Sequence, residues 1–258
     1  MDFINYNREA WNKEVENNNI WTRPVSEEDI RNAKNGEWDI VLTSTKSVPK
    51  AWFPSLLENK KVLCLASGGG QQGPIMAALG AEVTVFDNSP NQLSQDILVA
   101  EREGLTIRTE LGDMRDLSRF EDESFDLIIH PTSNCFIDNV LPVWKEAYRI
   151  LKKNGVLLAG FSNSVEYIFD LKAMNKGELV VKHKIPYSDI RDLSEAEFKE
   201  LITDQNEPAC FGHSLEDQIQ GQIDAGFVIA GFYEDNSGGD APLDPYINTF
   251  IATKAIKL

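Results

Sequence analysis

Residues 60–90, KKVLCLASGGGQQGPIMAALGAEVTVFDNSP, decide the fold. Val62-Leu63-Cys64-Leu65 is a short apolar run stopped by Ser67-Gly68-Gly69-Gly70, the pattern of a strand buried on both faces and ended by a turn. Pro74 suits a first helical position, residues 75–79 continue a helix, and Gly80 can close it in the left-handed conformation. Glu82-Val83-Thr84-Val85-Phe86 then reads as a second strand with Asp87 at its tip. Parallel strands joined through a helix end at the same sheet edge, so the glycine turn and Asp87 share one crevice. That crevice suits a nucleoside. Glycines let backbone approach a ligand, the helix start offers free N–H groups, and Asp87 can accept both ribose hydroxyls.

Downstream the pattern repeats. Ser89 is an N-cap with Pro90 at the first position and Gln92 completing a capping box; Leu93, Ile97 and Ala100 form the expected buried stripe, and Gly104 ends the helix. Leu105, Ile107, Thr109 and Leu111 alternate as in an edge strand that stops at Gly112-Asp113-Met114. Residues 125–130 are another buried strand, ending in His130-Pro131-Thr132-Ser133-Asn134. Val140, Trp144, Ala147 and Leu151 share a helical face, Gly155 breaks that helix, and residues 156–161 are the fifth strand. This alternation predicts a doubly wound parallel sheet. Residues 214–225, with Leu215, Ile219 and Ile223 as the stripe, resume it. Two final strands, 227–233 and 247–255, are joined by a link too short for a crossover helix, so they pair antiparallel.

Two segments stand outside this frame. Residues 1–59 carry Trp11, Trp21, Trp38 and Trp52 and are expected to form a helical cap, with helices at 8–15 and 26–35, either over the crevice mouth or packed elsewhere. Residues 162–212 read as a lid-like insertion over the strand ends, with a strand pair around 179–185 and a helix opened by Ser194-x-x-Glu197. Residues 60–258 would then be one ligand-binding domain.

Composition narrows the function. A net charge of −16 gives no electrostatic footing on nucleic-acid phosphates or anionic membranes. Cys64, Cys135 and Cys210 are odd in number, far apart and without metal-ligand spacing, so neither a disulfide framework nor a zinc site is indicated, and a reducing cytoplasm is the simplest home. No apolar run approaches a bilayer span.

Five βα units, a sixth helix and a closing hairpin resemble the class I S-adenosylmethionine-dependent methyltransferases over roughly residues 60–257. The resemblance implies a Rossmann-like α/β sheet of seven strands, mainly parallel with an antiparallel C-terminal hairpin and helices on both faces. It implies S-adenosylmethionine as cofactor and S-adenosylhomocysteine as product. The methionine part would lie along Ala66, Ser67, Gly68, Gly70 and Gln71, the ribose at Asp87 and Asn88, and the adenine at Asp113 and Met114. The loop with His130 and Asn134 would line the sulfonium and the acceptor. Two positions depart from the family pattern: Cys64 stands where an acid is usual, and Ala66 replaces the first glycine of the turn. The loop after the fourth strand also lacks the Asn/Asp-Pro-Pro-aromatic signature of many enzymes that methylate planar nitrogens, so the chain most resembles the small-molecule branch.

Gly68-x-Gly70-x-x-Gly73 also matches a dinucleotide fingerprint, which keeps an NAD-dependent oxidoreductase open, although no Tyr-x-x-x-Lys pair accompanies it. A protein that binds the cofactor without transferring methyl is a third reading. Methyl transfer from a sulfonium needs chiefly placement of the acceptor, and a base only when the acceptor must lose a proton. His130 and His213 are the candidates for that base, each also readable as a binding or packing residue. Cys64 reads as core, Asp126 as a strand-start turn residue and His183 as solvated.

Overall fold

The computed structural model describes residues 1–239 and 241–258. The N-terminal segment forms α1 (Phe3–Glu16) and α2 (Glu27–Lys34). Ser26 and Asp29 close a complete capping box on α2, Asp29 accepting the Ser26 N–H at 2.8 Å. Then follow β1 (Lys61–Leu65), α3 (Gln72–Ala78), β2 (Glu82–Asp87), α4 (Pro90–Glu103), β3 (Ile107–Leu111), β4 (Phe125–His130), α5 (Leu141–Ile150) and β5 (Leu151–Ser162). Short elements come next: α6 (Leu171–Met174), β6 (Tyr187–Ser188), α7 (Asp189–Asp192), α8 (Glu195–Phe198) and β7 (Phe211–Gly212). The chain ends with α9 (Gly221–Ala225), β8 (Phe227–Asp235) and β9 (Phe250–Lys257). Residue 240, within the loop expected between the last two strands, lies outside the described residues.

The sheet order is β3-β2-β1-β4-β5-β9-β8, with β1 to β5 parallel and β9 antiparallel to both its neighbours, as expected for this architecture. Successive residues of β1 serve opposite layers. Val62 and Cys64 pack with α3, α4 and the N-terminal segment, while Leu63 and Leu65 pack with Trp144 and Ala147 of α5. Parallel registry pairs Leu65 with Phe86 and Asp87 with Leu111, which brings the loops after β1, β2 and β3 to one edge.

Several local expectations need correction. Helix α3 starts at Gln72, so Pro74 stands third. In α4 the inward positions are Gln92, Leu93, Asp96, Val99 and Ala100, and Ile97 is exposed, because Asp96 takes the place over the glycine turn. Ser89 caps the N–H of Gln92 at 3.1 Å, but the Gln92 side-chain oxygen is buried without a partner, so the capping box is half formed. Strand β5 begins at Leu151 and runs through Gly155, with Asn154 at φ +63°, and β3 begins at Ile107. Leu215 and Ile223 are exposed; the inward side chains there are Gln218 and Gln222, which join a polar network with Asn134 and Thr253. Residues 179–185 form no strand pair beyond one bridge, Phe169 to Val181; the strand pair is β6 with β7. No helix among the described residues is long and apolar enough to cross a membrane.

Candidate active site

The turn after β1 is shaped from both sides. Ala66 opens it at φ +46°, a left-handed conformation that costs a non-glycine residue about 1 kcal/mol, and its N–H donates to the Phe86 carbonyl at 2.7 Å. At Gly70, φ is +72° and a Cβ would stand 2.7 Å from Pro24 Cβ and 2.9 Å from the Gln95 carbonyl oxygen, so only glycine fits. The Gly70 N–H donates to Asp96 Oδ2 at 3.1 Å. Asp96 is fully buried beside Cys64, and burial drives its carboxyl well above the usual carboxylate range against the backbone bonds that lower it. The acid missing from β1 thus has a counterpart on α4, invisible in the sequence because nothing local marks Asp96 as inward.

Asp87 is held by two backbone donors: Gly68 N–H to Oδ2 at 2.9 Å and Ser89 N–H to Oδ1 at 2.9 Å. Burial raises its pKa, and the bonds from Ser89, Gly68 and Asn88 oppose that rise. Each oxygen retains a lone pair for a vicinal diol, which fits a ribose. Asp113 is gripped by Arg115, which also reaches Asp138 at 2.6 Å, and Met114 is buried on the cavity wall next to it. Other polar side chains of this edge tether the N-terminal segment. Asn88 takes Arg8 at 3.0 Å and donates to the Ile4 carbonyl at 2.9 Å; Gln71 donates to the carbonyls of Ile20 and Arg23. Ser67 donates to Gln72, whose amide in turn donates to the Val41 carbonyl at 3.2 Å.

These elements enclose a cavity of about 300 Å³. Its floor is Ala66, Ser67, Gly68, Gln71 and Gln72 with Asp87, Asp113 and Met114, Gly70 instead facing Pro24 and Gln95, and its far wall is residues 131–133 and 135–137, Ser162, Glu166 and Phe250. The N-terminal segment roofs it with Ile4, Asn7, Trp11, Trp21 and residues 41–44. Trp11 packs edge-on to Phe136 at 5.1 Å, while Trp38 and Trp52 pack on Phe53 and Tyr233. The four tryptophans therefore divide between cavity roof and core.

His130 and His213 stand behind the wall. His130 is fully buried, donates from Nδ1 to the Leu65 carbonyl at 2.8 Å, and has Nε2 2.6 Å from Asn134 Oδ1. His213 donates from Nε2 to the Asn134 carbonyl at 2.9 Å. Burial lowers both pKa values, and the hydrogen bonds to Leu65 and Asn134 for His130, and to Asn134 for His213, oppose that fall. Asn134 continues to Gln218 at 3.0 Å. Among the described residues, the cavity lining includes neither histidine nor Asn134. Glu166, not singled out by sequence, does line it; an acid just past the fifth strand, at the ligand-binding edge of the sheet, was the available signal. No group of three or more His, Cys, Asp or Glu among the described residues is arranged to hold a metal ion.

Residues 63–159 match a family model described as a methyltransferase domain. A Bacillus subtilis protein described as an uncharacterized methyltransferase, YbaJ, is 57% identical over 255 residues, covering 99% of this chain and 98% of that protein. Among solved structures, a putative S-adenosylmethionine-dependent methyltransferase from Listeria monocytogenes superposes with a TM-score of 0.59 at 16% identity, covering 81% of this chain and 95% of that one. One from Mesorhizobium loti gives 0.60 at 15% identity, covering 80% and 94%. At such identities the structural likeness establishes the fold.

Proposed function

Because the chain belongs to the class I S-adenosylmethionine-dependent methyltransferases, we propose that it moves a methyl group from S-adenosylmethionine to a small-molecule acceptor beneath its N-terminal segment. The roof carries this reading. A cavity of about 300 Å³ closed over by α1 and residues 41–44 has room for small ligands and none for a duplex, and no Lys or Arg lines it among the described residues. The cofactor would supply an already activated methyl group. This chain's residues would do the rest: Asp87 takes the ribose hydroxyls, Asp113 and Met114 flank the base, and the turn of residues 66–71 receives the amino-acid end. Trp11, Trp21 and Phe136 exclude water from the roofed cavity where the methyl group is transferred, so that placement supplies most of the rate. Three free cysteines, Cys64, Cys135 and Cys210, suit a protein of the reducing cytoplasm.

Calorimetric titration of the purified chain with S-adenosylhomocysteine and with NAD tests the cofactor, and a screen of metabolites, RNA and protein with labelled S-adenosylmethionine tests the acceptor. S-adenosylhomocysteine should bind and NAD should not, with Asp87→Ala weakening the former by about 1 to 3 kcal/mol. NAD binding without a response to S-adenosylhomocysteine would refute the cofactor assignment. Label entering only RNA or protein would refute the small-molecule acceptor.

A further inference from the structure

Glu166 lies in the short turn Ser164–Ile168 that follows β5 and is capped by Asn163. Among the described residues it alone lines two cavities. One is the roofed cavity at the glycine turn. The other, of about 630 Å³, is walled by residues drawn from the stretch between Glu166 and Cys210. In the first, the titratable side chains are Asp87, Asp113, Cys135 and Glu166. Both aspartates stand at strand tips suited to a nucleoside, so Glu166 is the one carboxyl left at the exit of β5. The second cavity presents Glu166, Asp189, Glu200 and Glu207 together with the rings of Tyr167, Phe169 and Tyr187. Tyr167 and Tyr187 stack with centroids 5.7 Å apart. No Lys, Arg or His lines either cavity among the described residues.

These surroundings select by charge. Glu200 is paired with Lys172 at 2.6 Å, so an anion would meet the carboxyls of Glu166, Asp189 and Glu207, and a neutral guest would leave Glu166 without a charged partner. An ammonium on an apolar body satisfies both features, its charge held by a carboxylate and by aromatic faces, its body against Leu171, Leu201 and Ile202. We propose that the acceptor is a small organic amine whose apolar body lies in the second cavity and whose nitrogen reaches the roofed cavity at Glu166, and that Glu166, which lines both, is the catalytic residue that holds this nitrogen and removes its proton. This rests on the methyltransferase reading above.

The amine binds as an ammonium and gives one proton to the Glu166 carboxylate. The freed nitrogen lone pair forms the N–C bond to the methyl carbon while the C–S bond breaks, and its electron pair stays on sulfur as a neutral thioether. The product is an N-methylammonium, and Glu166 later returns its proton to water. Proximity of a sulfonium lowers the ammonium pKa and eases the transfer. Burial raises Glu166 to about 7, against hydrogen bonds from Ser162 and Tyr167, so the carboxyl changes charge near neutrality. The groups facing it are Cys135, the Tyr167 phenol and the Cys210 thiol. Burial raises the phenol; the bond with Cys135 and then burial raise the thiol. Asp189 lies beyond them, tied to the Tyr187 hydroxyl at 2.8 Å and the Cys210 N–H at 2.6 Å.

The test uses the full chain saturated with S-adenosylhomocysteine, titrated by calorimetry with phenethylamine, 2-phenylethanol and phenylacetate between pH 6 and 8.5. Phenethylamine should bind at least about ten-fold more tightly at pH 8 than either analogue, and its affinity should rise as pH increases through about 7. Glu166→Gln should erase the preference and flatten the pH profile while leaving S-adenosylhomocysteine affinity within about two-fold, and Glu166→Asp should retain the pH dependence. Binding of phenethylamine no tighter than the alcohol or the anion, or a Glu166→Gln chain that keeps both preference and profile, overturns the assignment. Should both variants lose S-adenosylhomocysteine binding through misfolding, the three-probe comparison on the wild-type chain decides. A wild-type chain that does not bind S-adenosylhomocysteine overturns the methyltransferase reading instead.

Discussion

The side-chain amide of Asn7 makes with Ala209 the two hydrogen bonds that one strand makes with the next: Nδ2 donates to the Ala209 carbonyl at 3.0 Å and Oδ1 accepts its N–H at 2.8 Å. The same Nδ2 donates to the Phe136 carbonyl at 3.0 Å, and Asn7 is 2% exposed. One residue of α1 thereby joins the roof, the loop after β4 and the segment leading into β7.

Asn7→Ala should therefore act on closure as well as on stability. It leaves one buried N–H and two carbonyls without partners, a loss of about 2 to 3 kcal/mol in denaturant unfolding. Hydrogen exchange should quicken first in residues 1–16 and 206–212, since local opening needs less energy than global unfolding. Uniform acceleration across the sheet instead would show that the amide contributes to the fold without latching the roof.

Asp96 offers a second test, because its oxygen fixes the turn while burial favours its protonated form. Asp96→Asn keeps an acceptor for Gly70 and should leave S-adenosylhomocysteine affinity near the wild-type value. Asp96→Ala removes the acceptor and should weaken that affinity by about ten-fold. Calorimetry that finds the two variants equally impaired would mean that the turn requires the negative charge.

The sheet was legible because β1, β2 and β4 are buried on both faces and so read as unbroken apolar runs, each ended by a polar or glycine turn. Asp87 and Asp113 were legible for the same reason, being residues at strand ends. Polar residues that face inward were not. Asp96, Gln218 and Gln222 occupy helix positions where a stripe of Leu and Ile was expected, and each is there for a hydrogen bond formed by residues distant in sequence. His130 drew notice through its place at the end of a strand, yet its ring turns back to Leu65, a direction fixed by packing under Trp144 and not by local sequence. Glu166 was lost within residues 162–212, where no periodicity separates one residue from the next.

The last expectation concerns acid. Asp235, at the end of β8, gathers residues 43–46 against the sheet: Oδ2 accepts the Thr43 hydroxyl at 2.7 Å, the Thr45 N–H at 2.8 Å and the Lys46 N–H at 2.9 Å, and Oδ1 accepts the Thr45 hydroxyl at 2.6 Å. Burial alone would raise its pKa, but these donors outweigh burial and hold it at about 2. The folded value lies below the unfolded one, near 3.9, so the stabilisation is complete above about pH 4 and is lost as pH falls through about 2. Its size is on the order of 2 kcal/mol. Asp235→Asn should cost about that much at pH 7, and the gap between variant and wild type should close between about pH 4 and pH 2 in denaturant titrations. Because Thr43 and Ser44 line the cavity, the roof should loosen over the same interval, visible as faster hydrogen exchange in residues 41–46 of the wild-type chain. A gap that persists unchanged down to pH 2 would show that the hydroxyl and N–H donors, and not the carboxylate charge, hold this segment.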